Sequence, residues 1–138
     1  MEFRYVRTED KEFVMSIDSH VNEVNYNNLV YTKSGYIMWK SNDRVGLMSH
    51  SILWDNLPFL NFIYVQETFR SQGIASEMMR QWEHDMKTQG YKMVLISTQV
   101  DESAQHFYRK LGYMECGALL MNHTPLEQPM EMFMRKVL

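Results

Sequence analysis

The sequence predicts a mixed α/β domain on one central sheet whose first half is antiparallel, and the pattern of its middle third carries that prediction. Apolar-rich segments at residues 35–40, 45–54 and 59–65 are separated only by short polar turns, 41–43 and 55–58. Connections this short join antiparallel neighbours, so the segments read as a meander. After Val65 the period changes: Ile74, Met78, Trp82 and Met86 fall four apart, with Ala75 and Met79 widening the same stripe. That spacing predicts an amphipathic helix over 74–89. The run Met93, Val94, Leu95, Ile96 is continuously apolar, as in a strand buried on both faces. Strand, helix and strand over 59–97 then form a right-handed parallel crossover.

The remaining elements follow in order. Phe3, Tyr5 and Arg7 alternate with Arg4 and Val6 as a short first strand. Thr8 offers an N-cap to a helix over 11–17. Residues 20–28, rich in Asn, read as an irregular polar connection. Gly90 stops the long helix, and Gly112 stops a second one over 103–111, whose stripe is Ala104, Phe107, Tyr108 and Leu111. Strands at 113–121 and 130–137 flank the loop 122–128. No repeat or Pro/Gly/Ser linker divides the chain, so residues 1–138 are expected to form a single domain.

Composition narrows the class. Hydrophobic and charged fractions of 45% and 22% are globular values, which excludes disorder. A net charge of −3 argues against nucleic acid as a partner, although Arg70, Arg80 and Lys87 are a seed for a local basic patch. Cys116 is the one cysteine and has no internal disulfide partner, which fits a reducing compartment. The N-terminus lacks the pattern of a signal peptide, and no apolar run approaches the roughly 20 residues that span a bilayer. A soluble, cytoplasmic protein without membrane partners is expected. The 13 methionines read as fillers of irregular core space.

The chemistry concentrates where residue 65 meets the long helix. Arg70, Ser71, Gln72, Gly73, Ile74 and Ala75 carry the spacing R-x-x-G-x-A directly before and into a helix start. A helix N-terminus presents unpaired N–H groups and partial positive charge, which suits a phosphate. Gly73 permits close backbone approach, and Arg70 can add charge-assisted hydrogen bonds. The lysine and hydroxyl of a triphosphatase loop are missing, as are the glycines of a dinucleotide fingerprint. His20, His50, His84, His106 and His123 show no zinc-site spacing, so no metal is expected. His106 points away from the stripe of Tyr108 and is expected to be exposed.

Downstream, Ala104, Phe107, Tyr108, Leu111, Gly112 and Tyr113 follow the phosphate-loop pattern of Val65 to Ala75 by about thirty residues. In these two places together the chain resembles the GCN5-related N-acetyltransferase (GNAT) family. The first segment looks like that family's pyrophosphate loop, Q/R-x-x-G-x-G/A, and the second like its A-x-x-F-Y-x-x-x-G-F/Y helix and following strand. The resemblance implies the single-domain acyl-CoA N-acyltransferase fold: a mixed, mostly antiparallel sheet with a parallel pair splayed at the cofactor slot, and helices on both faces. It implies acetyl-coenzyme A as co-substrate and a small-molecule or peptide amine as acceptor. By the same resemblance the backbone at Val65 holds the acetyl carbonyl, and backbone N–H groups from Arg70 through Ala75 bind the pyrophosphate. Tyr108 is the general acid for the departing thiolate. Where the family often has Asn, this chain has Asp101, which can cap the helix but cannot donate while ionised. A homodimer is compatible with the sequence.

The expected reaction is direct attack of a neutral amine on the thioester, which needs reactants about 3–3.5 Å apart, a polarised carbonyl and removal of a proton. No Asp or Glu lies in 59–65 to act as base. Glu23, His50, Asp55 and Glu67 are candidates beside water-mediated deprotonation. Trp39 and Trp54 either line an acceptor pocket or fill the core. The connection 20–28 and the loop 122–128 are expected to shape the acceptor site. The alternative is a coenzyme-A-binding sensor or regulatory module without turnover, which the missing base favours and Tyr108 opposes.

Overall fold

Alternation at the start of the chain produces β1 (Glu2–Tyr5), shorter than expected because Arg7 leaves the strand. Its N–H is accepted by the Asp10 carboxylate at 2.8 Å, and this turn leads into α1 (Lys11–Ile17). The next element departs from the expectation of an irregular connection: α2 (Glu23–Thr32) is a helix. Asn22 caps it by accepting from the Asn25 N–H at 2.8 Å, while the Asn25 side chain reaches back to the Asn22 N–H. Two asparagines thus perform the reciprocal capping usually done by Ser and Glu. The helix ends at Lys33, in the left-handed conformation.

Then come β2 (Gly35–Lys40), β3 (Asp43–Leu53), β4 (Leu57–Val65), α3 (Ile74–Thr88), β5 (Met93–Gln99), α4 (Ala104–Lys110), β6 (Met114–Leu119) and β7 (Glu131–Val137). These observations come from a computed structural model that describes residues 1–138. The strands hydrogen-bond in the order β1-β2-β3-β4-β5-β7-β6, and the fold is the mixed, mostly antiparallel α/β arrangement expected. Tertiary contacts divide the chain into two compact units, residues 1–51 with 61–84 and residues 52–60 with 85–138. Strand β4 and helix α3 each run from one unit into the other.

In the first unit, successive residues of β2 face opposite ways, as strand geometry requires. Ile37 and its register partner Leu47 pack with Val6, with Val14 of α1 and with Tyr26 of α2. On the other face Tyr36 lies 5.8 Å from the His50 ring, which lies 5.9 Å from the Trp82 ring of α3. Helices therefore cover both faces of these strands. Contact between α3 and β3 is close enough to require glycine: a Cβ on Gly46 would sit 2.6 Å from the Met78 sulfur and 3.2 Å from the Tyr64 carbonyl oxygen. Buried Asp10 is charge-paired by Arg44, whose Nε donates to it at 3.0 Å.

In the second unit β5 pairs in parallel with β4 at Phe59 and Leu95, and antiparallel with β7 along its whole length. Val94, Leu95 and Ile96 are all buried, as the continuous apolar run predicts. The turn before β4 holds Trp54 and Asp55 in left-handed conformations, closed by the Asn56 N–H on the Leu53 carbonyl at 3.0 Å. Trp54 consequently leaves β3 and is 84% exposed rather than core. Met38, Met48, Met78, Met79, Met86 and Met134 are fully buried, the gap-filling role expected of this residue.

Candidate active site

The loop between β4 and α3 is built by backbone conformations that few side chains favour. Glu67–Phe69 forms one turn of 3-10 helix, after which Ser71 has φ +63 and Gly73 φ +78. A Cβ on Gly73 would meet nothing within 4 Å, so this glycine is not set by crowding within the fold. It serves the positive φ, and it leaves the approach to the helix start open. Ile74 anchors the first turn of α3 in the core, and the first hydrogen bond of the helix runs from the Glu77 N–H to the Gly73 carbonyl at 3.1 Å. The N–H groups of the preceding residues lie before that bond, the arrangement that accepts an anion.

Arg70 does more than the spacing suggested. Its Nε donates to the Val65 carbonyl oxygen at 2.9 Å, and its guanidinium lies 5.3 Å from the Tyr64 ring centre. It braces the loop against the end of β4 with one nitrogen and keeps further donors for a ligand. Gln72 accepts from the Lys40 ammonium at 3.0 Å, a cation that the sequence did not single out because β2 lies thirty residues away in the chain. Gln66 fixes the loop's first residue, its N–H donating to the Val45 carbonyl at 2.8 Å and its side-chain amide to the Arg44 carbonyl.

Tyr108 lies in the second unit, on α4, and is 6% exposed. Its ring meets those of Phe107 and Tyr113 edge-on at 5.2 and 5.9 Å. Burial pushes its phenol up to about 12, with the Glu102 carboxylate adding to the shift, so it holds its proton at neutral pH. Asp101 does not cap α4: the residue at the N-cap is Ser103, and Asp101 is exposed. The turn is closed instead by Gln105, whose amide donates to the Val100 carbonyl at 2.9 Å. Thr98, on β5, was invisible in the sequence. Its hydroxyl is buried without a hydrogen-bond partner, which is costly unless a ligand or water completes it.

Among the candidate bases, His50 is buried, and its Nδ1 accepts the Trp82 indole N–H at 3.1 Å. Glu23 pairs with Lys11 at 2.7 Å, which holds its carboxyl below the usual range. Asp55 and Glu67 are exposed, as is His106. Trp39 lies between two cations, its ring centre 4.1 Å from the Arg4 guanidinium and 4.5 Å from that of Arg44. Trp54 instead borders a cavity of about 610 Å³ in the second unit, together with Asp55, Tyr91 and Lys92. No group of three or more His, Cys, Asp or Glu side chains is arranged to hold a metal ion.

A glycine-containing loop at a strand–helix junction, on a sheet with one parallel pair, defines a domain with the acyl-CoA N-acyltransferase fold. Residues 4–113 match the family described as Acetyltransferase (GNAT) family, and the chain belongs to it. The fold is similar to that of the ribosomal-protein-alanine N-acetyltransferase from Brucella melitensis, with 15% identity, 100% of both chains covered and a TM-score of 0.83. Ard1 from Thermoplasma volcanium is similar over 99% of this chain and 97% of its own, with 19% identity and a TM-score of 0.81. An aminoglycoside 6'-N-acetyltransferase complexed with coenzyme A is similar over 99% of this chain and 97% of its own, with 12% identity and a TM-score of 0.76. No curated protein matches the chain in sequence.

Proposed function

We propose that this chain transfers the acetyl group of acetyl-coenzyme A to a primary amine by direct attack in a ternary complex. The observation that carries the reading is the loop before α3, where left-handed Ser71 and Gly73 open the helix start in a chain of the acetyltransferase family. Backbone N–H groups from Arg70 through Ala75 bind the pyrophosphate, and the Arg70 donors left over from Val65 add charge. The orphaned Thr98 hydroxyl is a natural partner for a polar group of the pantetheine arm. The co-substrate supplies a thioester whose carbonyl carbon accepts the amine, and the backbone at Val65 orients that carbonyl. Tyr108 donates its phenolic proton to the sulfur as the C–S bond breaks. The amine loses its own proton through water or through Glu67, since His50 and Glu23 are engaged elsewhere.

The acceptor class is a small-molecule or peptide amine; two of the similar proteins are named for a ribosomal-protein alanine and for an aminoglycoside. A second reading, a coenzyme-A-binding module without turnover, draws on the same two engaged bases. Calorimetry with acetyl-coenzyme A, followed by thiol release in the presence of peptide and polyamine acceptors, separates the readings. Binding with release supports the enzyme, binding without release supports the module, and no binding overturns both.

A further inference from the structure

Lys40 ends β2, and strand alternation puts it on the same face as Tyr36 and Met38, the face that α3 covers. That placement carries its side chain to the loop before α3. Its ammonium donates to the Gln72 side-chain carbonyl at 3.0 Å and lies 6.0 Å from the Phe69 ring centre. An ammonium has three donors, so the Gln72 bond leaves two for another acceptor. No carboxylate of the chain takes them: Gln72 is neutral, and the hairpin partner Asp43 does not pair with Lys40. The acid at the helix start is neutralised separately. Glu77, in the first turn of α3, accepts from the Arg80 Nε at 3.0 Å and from the Gln81 amide at 2.7 Å. Glu67 is the remaining acid near the loop, and it is exposed.

We infer that Lys40 is a co-substrate-binding residue, its ammonium the second cation on the pyrophosphate beside Arg70. The inference rests on the reading of the loop given above and adds to it a residue from another strand. A pyrophosphate diester carries two negative charges. Arg70 has committed its Nε to the Val65 carbonyl and supplies one positive charge, while the N–H groups at the helix start supply partial charge. Lys40 supplies the second full charge. Its bond to Gln72 ties it inside the stretch proposed to hold the anion, well within the roughly 10 Å over which charges act at 0.1 M salt.

Calorimetry of the full chain tests it, with coenzyme A and with dephospho-coenzyme A, which lacks the 3′-phosphate but keeps the pyrophosphate. Lys40→Met should weaken both ligands about tenfold at low ionic strength, the low end for a charge-assisted hydrogen bond, and less at high salt. Lys40→Arg should restore most of the loss. Lys87→Met removes the same charge about 20 Å along α3 from its start and should leave both affinities within about twofold of wild type. Equal affinities for wild type and Lys40→Met overturn the inference. So does a loss seen with coenzyme A but not with dephospho-coenzyme A, because the charge would then serve the 3′-phosphate. A loss that salt leaves unchanged and arginine does not restore also overturns it, marking Lys40 as a brace for Gln72. A wild type that binds neither ligand overturns the reading of the loop itself, which the other outcomes leave standing.

Discussion

A phenol that keeps its proton to about pH 12 can donate it throughout the neutral range, and that property comes from the burial of Tyr108. Tyr108→Phe keeps the ring contacts with Phe107 and Tyr113 and removes only the donor. It should lower kcat by roughly 10²-fold, the low end for a general acid, because a thiolate is a fair leaving group. Acetyl-coenzyme A affinity should be unchanged, since the proton moves only in the transition state; steady-state kinetics and calorimetry read the two quantities separately. The same burial predicts an alkaline effect. A phenol raised from 10 to about 12 contributes stability that is intact below pH 10 and is lost as pH rises through 12. Denaturant unfolding of wild type should therefore weaken more steeply across that window than unfolding of Tyr108→Phe. At the loop, Gly73→Val should weaken acetyl-coenzyme A binding more than Arg70→Ala. The first substitution strains a φ of +78 and puts a branched side chain where the pyrophosphate is proposed to bind, whereas the second removes one charged partner, on the order of 1.5–3 kcal/mol. Calorimetry of both folded variants checks the order.

Among the elements, α2 shows how little sequence signal a helix needs when its end is well capped. Only Tyr26 is fully buried on it, and Val24 and Tyr31 stand exposed. Its segment is dominated by Asn, a poor helix former in the interior and a good one at the cap. Asn22→Ala removes the side-chain acceptor for the Asn25 N–H and should cost about 1 kcal/mol in chemical denaturation, while Asn27→Ala, away from the cap, should cost nothing or stabilise. Helix α3 is the opposite case. Ile74, Met78, Trp82 and Met86 are all buried, so its period alone announced it and placed the loop before it. A turn after β3 was legible at 55–58, but its start at a left-handed Trp54 was not, because a bulky aromatic residue rarely adopts a positive φ whereas Asp55 tolerates one.

Across the whole molecule the ligand should act as a brace. A ligand of the native state stabilises it, so acetyl-coenzyme A, as the proposed co-substrate, should raise the melting temperature in proportion to the logarithm of its concentration. Desulfo-coenzyme A should do nearly as well, since the role proposed for the loop before α3 is to bind pyrophosphate rather than the thioester. A thermal-shift titration with both compounds checks this, and a flat response to each would remove the loop's proposed role.

By itself the sequence determined the sheet's main strands, the long helix, the second helix with its Gly112 stop, and the family. These depend on periodicity and on short motifs, which local chemistry writes into neighbouring residues. It also marked Arg70, Gly73 and Tyr108 as candidate site residues. The tertiary structure alone decided what those and other side chains touch. It turned Arg70 toward the Val65 carbonyl, brought Lys40 to Gln72, and filled His50 with the Trp82 N–H. It left the Thr98 hydroxyl unpaired and every residue of β6 exposed. Partners such as Lys40 and Gln72, or His50 and Trp82, lie about thirty positions apart in the chain, and no local pattern encodes which distant residue will complete a hydrogen bond.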